Sequence, residues 1–364
     1  MNRRKFISSA GLAGIGAAAA TTLAAPAIAQ GTTDLVIVST WPRDFPGLGL
    51  PAQRLAARIG ELTEGRLNVQ YFAAGERVGA FDSFDEVASG NAQAYIGADY
   101  YWIGKHPGWA AFTALPFGLT ATEIDAWCKF GGGQALWNEL GDQFGIQPMA
   151  CGNTGVQMGG WFNKEINSVD DLKGLKMRIP GQGGDVMGKL GVSTVALPGG
   201  QIYENLVSGA IDATEWVGPF NDYFLKLYEA AKYYYWPGMH EPGAQLTFGA
   251  NKSFFSTLSK TDQEIIKAAC NEENGNTLAE TNANNGAYLT RLINDHGVEL
   301  REFNDDIYAA FGKAAQEVIE EARGHSDLSA RIMDSVVNAR KEIGAWTALS
   351  DMAYVQKRNK VLGG

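Results

Sequence analysis

Cysteine and histidine are scarce in this chain, three and four residues respectively among 364. Cys128, Cys151 and Cys270 are too few for a disulfide framework and form no CxxC redox or zinc motif. One bridge at most is open to them, and buried free thiols are the expectation, since free cysteine is among the most buried residue types. His106, His240, His296 and His325 are scattered, with no HxH or HExxH spacing to bring two imidazoles onto one zinc ion. GxGxxG, the P-loop and the GxSxG elbow are missing too, although "GNTGVQMGG" (152–160) and "GQGGD" (181–185) are glycine-rich. Triads assembled from distant positions leave no local trace; even so, no motif argues for an enzyme.

Positive charge is also short. Lys and Arg number 30 against 40 Asp and Glu, a net charge of -10. A chain this acidic lacks the basic footprint that nucleic acid requires and is a poor match for an anionic membrane surface. Its one extended apolar run is N-terminal. "NRRKFI", with paired Arg3 and Arg4, leads into "SSAGLAGIGAAAATTLAAPAIAQ", which ends in the small-x-small site Ala27-Ile28-Ala29. The run is only mildly hydrophobic and no stop-transfer pattern follows, so a retained membrane helix is not expected. The pattern predicts a twin-arginine signal peptide over residues 1–29 and export to the periplasm. Its removal takes Arg3, Arg4 and Lys5 with it and moves the net charge to -13.

The whole chain is 45% hydrophobic and rich in glycine, 45 residues in all, enough for a sizeable core and two domains. "DLVIVST" (34–40) is a β-branched run, and Leu55, Ile59 and Leu62 recur at helical spacing before Gly65. "RLNVQYF" then alternates at the strand period, so strand, helix and strand form a βαβ unit of a parallel sheet. A helix near 82–89, a strand near 92–98 and an apolar segment near 109–117 continue the series. A second α/β series follows Cys151: strands at "GGWFN", "KMRIP", "STVALP", "DATEWV" and "KYYYW", with helices at "GGDVMGKLG", "GQIYENLVSG" and "NDYFLKLYEAA". Two such series predict two similar lobes with a cleft at the carboxyl ends of strands. From residue 259 the chain reads as helical, with Thr261 and Glu264 as a capping box and long amphipathic helices beyond.

Four segments, "NTGVQMGGWF" (153–162), "DLKGLKMRIPG" (171–181), "IYENLVSGAIDATEWVGP" (202–219) and "YYYWPGMHEPG" (233–243), resemble in order and spacing the substrate-binding proteins of tripartite ATP-independent periplasmic (TRAP) transporters. Within that family they look most like the branch that takes small 2-oxo or 2-hydroxy monocarboxylates with a metal ion. The resemblance covers the mature chain and implies an α/β, two-lobed periplasmic binding protein with long C-terminal helices. It places lobe I at 30–152 plus about 243–283, lobe II at 153–242 plus about 284–342, and a helical tail at 343–364.

The resemblance also implies a set of site residues, each of suitable chemistry. Arg178 would fork onto the ligand carboxylate with two charge-assisted hydrogen bonds. Glu215, the main-chain carbonyl of Trp216, Glu241 and Gln157 would hold a hard cation through oxygen, either Ca2+ or Na+. Arg178, two glutamates and a monocarboxylate leave two negative charges, a count that favours the divalent ion if both glutamates are ionised. Gln157, on a strand-like run, and Asn153 are further substrate contacts, although Asn153 reads equally well as a turn residue. His240 reads as a loop residue, because hard oxygen-donor sites seldom recruit imidazole. "DYYWIG" (99–104) would end a strand, with Tyr100 or Tyr101 donating a phenol and Trp102 covering the ligand. Trp216 and Phe220 would form apolar wall. The closed form would dock on a membrane permease coupled to a sodium gradient, and a stripe of Ile343, Trp346, Leu349 and Met352 permits a homodimer. Two alternatives stay open on the sequence: an exported oxidoreductase, and a binding protein that feeds a sensor.

Overall fold

A computed structural model describes residues 32–363; the expected signal peptide lies outside the described residues. No helix among them is long and apolar enough to cross a membrane. In chain order the first half contains β1 (Thr33–Ser39), α1 (Gly49–Leu62), β2 (Leu67–Phe72), α2 (Ser83–Ala88), β3 (Ala94–Gly97), α3 (Ala121–Phe130), α4 (Gly133–Asp142) and β4 (Ile146–Asn153). Then come β5 (Gly160–Phe162), β6 (Lys176–Arg178), α5 (Gly181–Lys189), β7 (Ser193–Val195), α6 (Gly199–Val207), β8 (Ala213–Thr214), α7 (Pro219–Phe224) and β9 (Tyr233–Trp236). The chain closes with β10 (Gln245–Asn251), α8 (Lys252–Thr257), α9 (Lys260–His296), β11 (Glu299–Glu302), α10 (Asp305–Arg323), α11 (Asp327–Thr347) and α12 (Ala353–Leu362).

The strands form two sheets, one per lobe. The first runs β2-β1-β3-β10-β4 and the second β11-β9-β5-β8-β6-β7. As the alternating pattern predicts, β1 pairs in parallel with β2 and β3. β10 returns to the first sheet after β5–β9 of the second and lies antiparallel between β3 and β4. Besides 252–298, which carries α8 and α9, two short segments run from sheet to sheet, 154–159 and 237–244. They are bonded to one another: Thr154 N–H to Ala244 O at 3.0 Å, Gln157 N–H to Glu241 O at 3.1 Å, and Gly238 N–H to Gln157 O at 3.1 Å.

The larger core gathers around the first sheet, where Phe112 stacks on Trp127 at 5.4 Å and on Trp137 at 5.3 Å. A second core, with Phe162, Met177, Val186, Phe303 and Phe311, fills the space between the second sheet, α5 and α10. α9 spans 37 residues and packs against β4 and α1 on one side and α7 on the other. Several of its buried side chains are polar: Glu273, Asn274, Thr277 and Thr281. Arg54 of α1 binds Glu273 at 2.6 Å, and Asn285 Oδ1 accepts from Phe220 N–H of α7 at 3.0 Å. A second contact between the lobes is made by Asn221 Nδ2, which donates to Pro46 O at 3.0 Å. Beside it Gly47 holds a left-handed φ of 77°, and a side chain there would run into Asn221. Cys128, Cys151 and Cys270 are buried and free.

Several local expectations are corrected. The N-cap of α9 is Ser259, whose hydroxyl accepts from Asp262 N–H at 3.0 Å, so Thr261 and Glu264 do not form the capping box. Residues 99–102 form a 3-10 turn rather than a strand end. Trp102 is core, packed on Phe84 at 5.0 Å with its indole donating to Phe81 O. Phe220 faces Tyr288 of α9 at 5.1 Å instead of lining a ligand wall. Gln157 lies on the first crossing segment, outside any strand.

Asp99 opens the 3-10 turn and is fully buried, accepting from Tyr95 OH at 2.9 Å and Trp137 Nε1 at 2.8 Å. Burial pushes its carboxyl up to about 7, against the hydrogen bonds that favour the charged form. In an unfolded chain Asp titrates near 4, so the folded protein holds the proton more tightly. The stability this adds is complete below about pH 4 and lost as the pH rises to about 7, with a ceiling of about 4 kcal/mol. Asp99→Asn should therefore show a flatter dependence of Tm on pH between 5 and 8 than the wild type. Equal slopes would mean that Asp99 is ionised throughout.

Candidate functional site

Arg178 ends β6 and Glu215 follows β8, two neighbouring parallel strands in which Arg178 pairs with Thr214. Their side chains meet at the carboxyl ends of these strands, where α/β sheets bind ligands. Arg178 is 1% exposed. Its Nη1 donates to the Glu215 carboxylate and, at 3.0 Å, to the Glu215 carbonyl; its Nε donates to Leu197 O at 3.1 Å. The remaining nitrogen, Nη2, is buried without a partner. The guanidinium lies 5.2 Å from the centre of the Trp216 ring, which Phe45 meets edge-on at 6.1 Å. That indole also fits over Gly199 at the start of α6, where any Cβ would collide with it.

The crossing segments bring the other half. Gln157 is buried, and its Nε2 donates to Glu241 Oε2 at 2.6 Å and Thr154 Oγ1 at 3.0 Å. Its carbonyl oxygen, Oε1, has no partner. His240, also buried, places Nε2 3.1 Å from Glu215 Oε2. One ligand atom from each of Glu215, His240 and Glu241 lies within 4.8 Å of the others. His240 lies in a loop, as expected, but the loop is the second crossing segment and the side chain is buried in this cluster. The flanking Pro237-Gly238 and Pro242-Gly243 turns were the available sign that this segment is held rather than trailing.

Electrostatics follow from burial. Burial and the nearby Glu215 charge push Glu241 up to about 8. Burial is the largest single influence on His240 and works against its charged form, but the hydrogen bond to Glu215 and the charges of Glu215 and Glu241 together outweigh it and raise its pKa. Asp222 lies behind the cluster, and burial raises its carboxyl to about 6.

A small cavity of about 10 Å3 adjoins these groups, lined on its polar side by Tyr100, Tyr101, Thr154, Gln157, Trp216 and Glu241. Its other side is apolar, with Trp41, Leu48, Ala98, Ala244 and Leu246. Asn153 stays out of it: Oδ1 accepts from Gly155 N–H at 2.9 Å and Nδ2 donates to Gly243 O at 3.3 Å, so it fastens the crossing segments. A wider cleft of about 570 Å3, lined by Lys129, Gln134, Lys252 and Lys267, lies elsewhere on the surface. Chemistry, not volume, locates the site.

The profile of the bacterial extracellular solute-binding protein family 7, DctP, matches residues 38–324. A monocarboxylate 2-oxoacid-binding periplasmic protein of Nostoc sp. (strain PCC 7120 / SAG 25.82 / UTEX 2576) is 42% identical over 318 residues, 87% of each chain. A TRAP transporter solute binding protein from Bordetella bronchiseptica RB50 matches with a TM-score of 0.89 at 33% identity, over 91% of this chain and 98% of its own. It is a mixed-occupancy dimer with one active site holding copurified calcium and picolinate and the other apo. A TRAP periplasmic solute binding protein from Pseudoalteromonas atlantica T6c, with bound sodium and pyruvate, matches with a TM-score of 0.87 at 37% identity, over 90% of this chain and 99% of its own. The chain belongs to the DctP family of bacterial extracellular solute-binding proteins.

Proposed function

We propose that this protein captures a short 2-oxo or 2-hydroxy monocarboxylate, of the pyruvate or lactate type, with an oxygen-coordinated cation and delivers it to a sodium-coupled TRAP permease. One pair of buried orphan atoms carries the reading. Arg178 Nη2 is a charged donor without an acceptor, and Gln157 Oε1 is an acceptor without a donor. Leaving such groups buried and unpaired costs about 1–3 kcal/mol each, more where charged. A carboxylate answers the first and a hard cation the second. The donor set fits such an ion, with Glu215, Glu241, Gln157 Oε1 and the Trp216 carbonyl offering oxygen. His240 would orient Glu215 through its present hydrogen bond.

Pyruvate and picolinate, bound by the two structural neighbours, both carry a carboxylate with a second donor on the adjacent carbon, an arrangement that chelates a cation. The ion supplies positive charge that draws together two glutamates and an anionic ligand. Tyr100 and Tyr101 would orient the ligand, and Trp41, Leu48 and Leu246 would receive its apolar end. No bond is broken in this reading, and the oxidoreductase alternative has no observation in its favour. Residues 1–29 would direct export by the twin-arginine route, and lobe boundaries near 153, 243 and 284 are part of the same reading. Trp346, Leu349 and Met352 are exposed while Ile343 packs inward. Two copies would pair through that stripe, so Trp346→Glu should shift a dimer to monomer in light scattering; an unchanged mass would sink that part.

Calorimetry over pyruvate, lactate, 2-oxobutyrate, acetate and 2-oxoglutarate tests the main claim. The first three should bind, and acetate, which lacks the 2-oxygen, should bind at least about a hundredfold more weakly, the worth of about 2.7 kcal/mol. Acetate binding as tightly as pyruvate would defeat the chelation.

A further inference from the structure

Asp222 is 1% exposed and takes no part in the cluster of ligand atoms. Its Oδ1 accepts from the backbone N–H of Val217 at 3.0 Å and of Gly218 at 3.1 Å. Its Oδ2 accepts from Trp161 Nε1 and Tyr234 OH, both at 2.8 Å. Trp161 of β5 pairs with Thr214 of β8 and with Tyr234 of β9, and its ring stacks on Tyr234 at 4.0 Å. The carboxylate is therefore tied to the middle of the second sheet on one side and holds the turn after Trp216 on the other.

The N–H of Val217 and the C=O of Trp216 belong to one planar peptide unit, and in a trans peptide they point in opposite directions. An anchor on that N–H therefore sets the aim of that carbonyl. A charged acceptor on the N–H also polarises the peptide and raises the electron density on the oxygen. We infer that Asp222 is a positioning residue that aims and polarises the Trp216 carbonyl as a cation ligand. This rests on the proposed cation site and extends it to a residue that touches neither ion nor ligand. Outer partners of this kind typically change metal affinity ten- to a hundredfold.

The test titrates CaCl2 alone into wild type, Asp222→Asn and Tyr234→Phe by calorimetry, with circular dichroism to confirm folding. Asp222→Asn should lose about ten- to a hundredfold in calcium affinity. Tyr234→Phe removes a sheet-side hydrogen bond and keeps the grip on Val217 and Gly218, so its affinity should stay within about twofold of wild type. Wild-type affinity in folded Asp222→Asn, or equal losses in both variants, would overturn the inference. No calcium or sodium binding by wild type would instead overturn the cation site itself, and Asp222's role with it. Should Asp222→Asn fail to fold, NMR of the wild type decides. The Trp216 carbonyl carbon and the Val217 amide proton should shift together on adding CaCl2, and a carbonyl shift with the amide proton unmoved overturns the inference.

Discussion

Arg178→Ala abolishes pyruvate binding, with a loss beyond about a thousandfold, and Arg178→Lys keeps the fold while losing about ten- to a hundredfold. Both expectations come from the same geometry. The guanidinium holds the Glu215 carboxylate and carbonyl with Nη1, the Leu197 carbonyl with Nε, and leaves Nη2 for a ligand. Truncating one member of a buried, hydrogen-bonded charge pair costs about 2–5 kcal/mol in binding. Alanine also strands the Glu215 charge, a destabilisation of about 3–5 kcal/mol, so Tm should fall with it. Lysine restores the positive charge but offers a point charge where a fork is needed. The two variants thus separate charge from geometry. Calorimetry with pyruvate reads the affinity and a thermal melt reads the fold. Wild-type affinity in either variant would mean that the ligand carboxylate is held elsewhere.

Glu215→Gln should remove cation dependence. In the wild type, binding of pyruvate should weaken with a divalent chelator if the ion is calcium, or in sodium-free buffer if it is sodium. In the variant, whatever affinity remains should ignore both. A neutral amide keeps an oxygen near the cation but loses the negative charge that a hard ion seeks, and a loss of about a hundredfold or more in cation affinity is expected, by the worth of a charged against a neutral partner. The same change relieves Glu241 of a like-charged neighbour, one of the causes of its raised pKa. Its carboxyl should therefore titrate lower in the variant than in wild type, although burial still holds it above the ordinary range. Surviving sensitivity to chelator or sodium would remove Glu215 from the ligand set.

Local rules reached the strands and the ends of β6 and β8, because alternation and β-branched runs are written over a few consecutive residues. Arg178 and Glu215 could be placed on that basis, Arg178 at the last paired position of β6 and Glu215 one residue beyond its partner Thr214. The crossing segments were less legible. Their partners lie far away along the chain, as with Gln157 and Glu241, and their conformation follows from hydrogen bonds to each other rather than from any period. For that reason Gln157 read as strand and His240 as loose loop. Asn153 shows the converse: an amide placed by the family pattern beside the ligand spends its hydrogen bonds fastening those same segments. Thr261 and Glu264 matched the capping pattern, but Ser259, two residues before Thr261, supplies the cap.

α9 has a property that its length conceals. Between its attachments at Glu273 and Asn285, against Leu278, Ala279, Glu280 and Ala283, seven of the eleven residues are Asn274, Gly275, Asn276, Thr277, Thr281, Asn282 and Asn284, with Gly286 beyond. Residues of these types favour the helix less than alanine by about 0.7 kcal/mol each, and glycine by about 1. Cut from the protein, this stretch would be mostly coil in water. Its helicity is lent by the two lobes it joins, so it is a poor strut and a good flexure. The least stiff part of the longest helix lies where α9 passes from the side of one lobe to the side of the other.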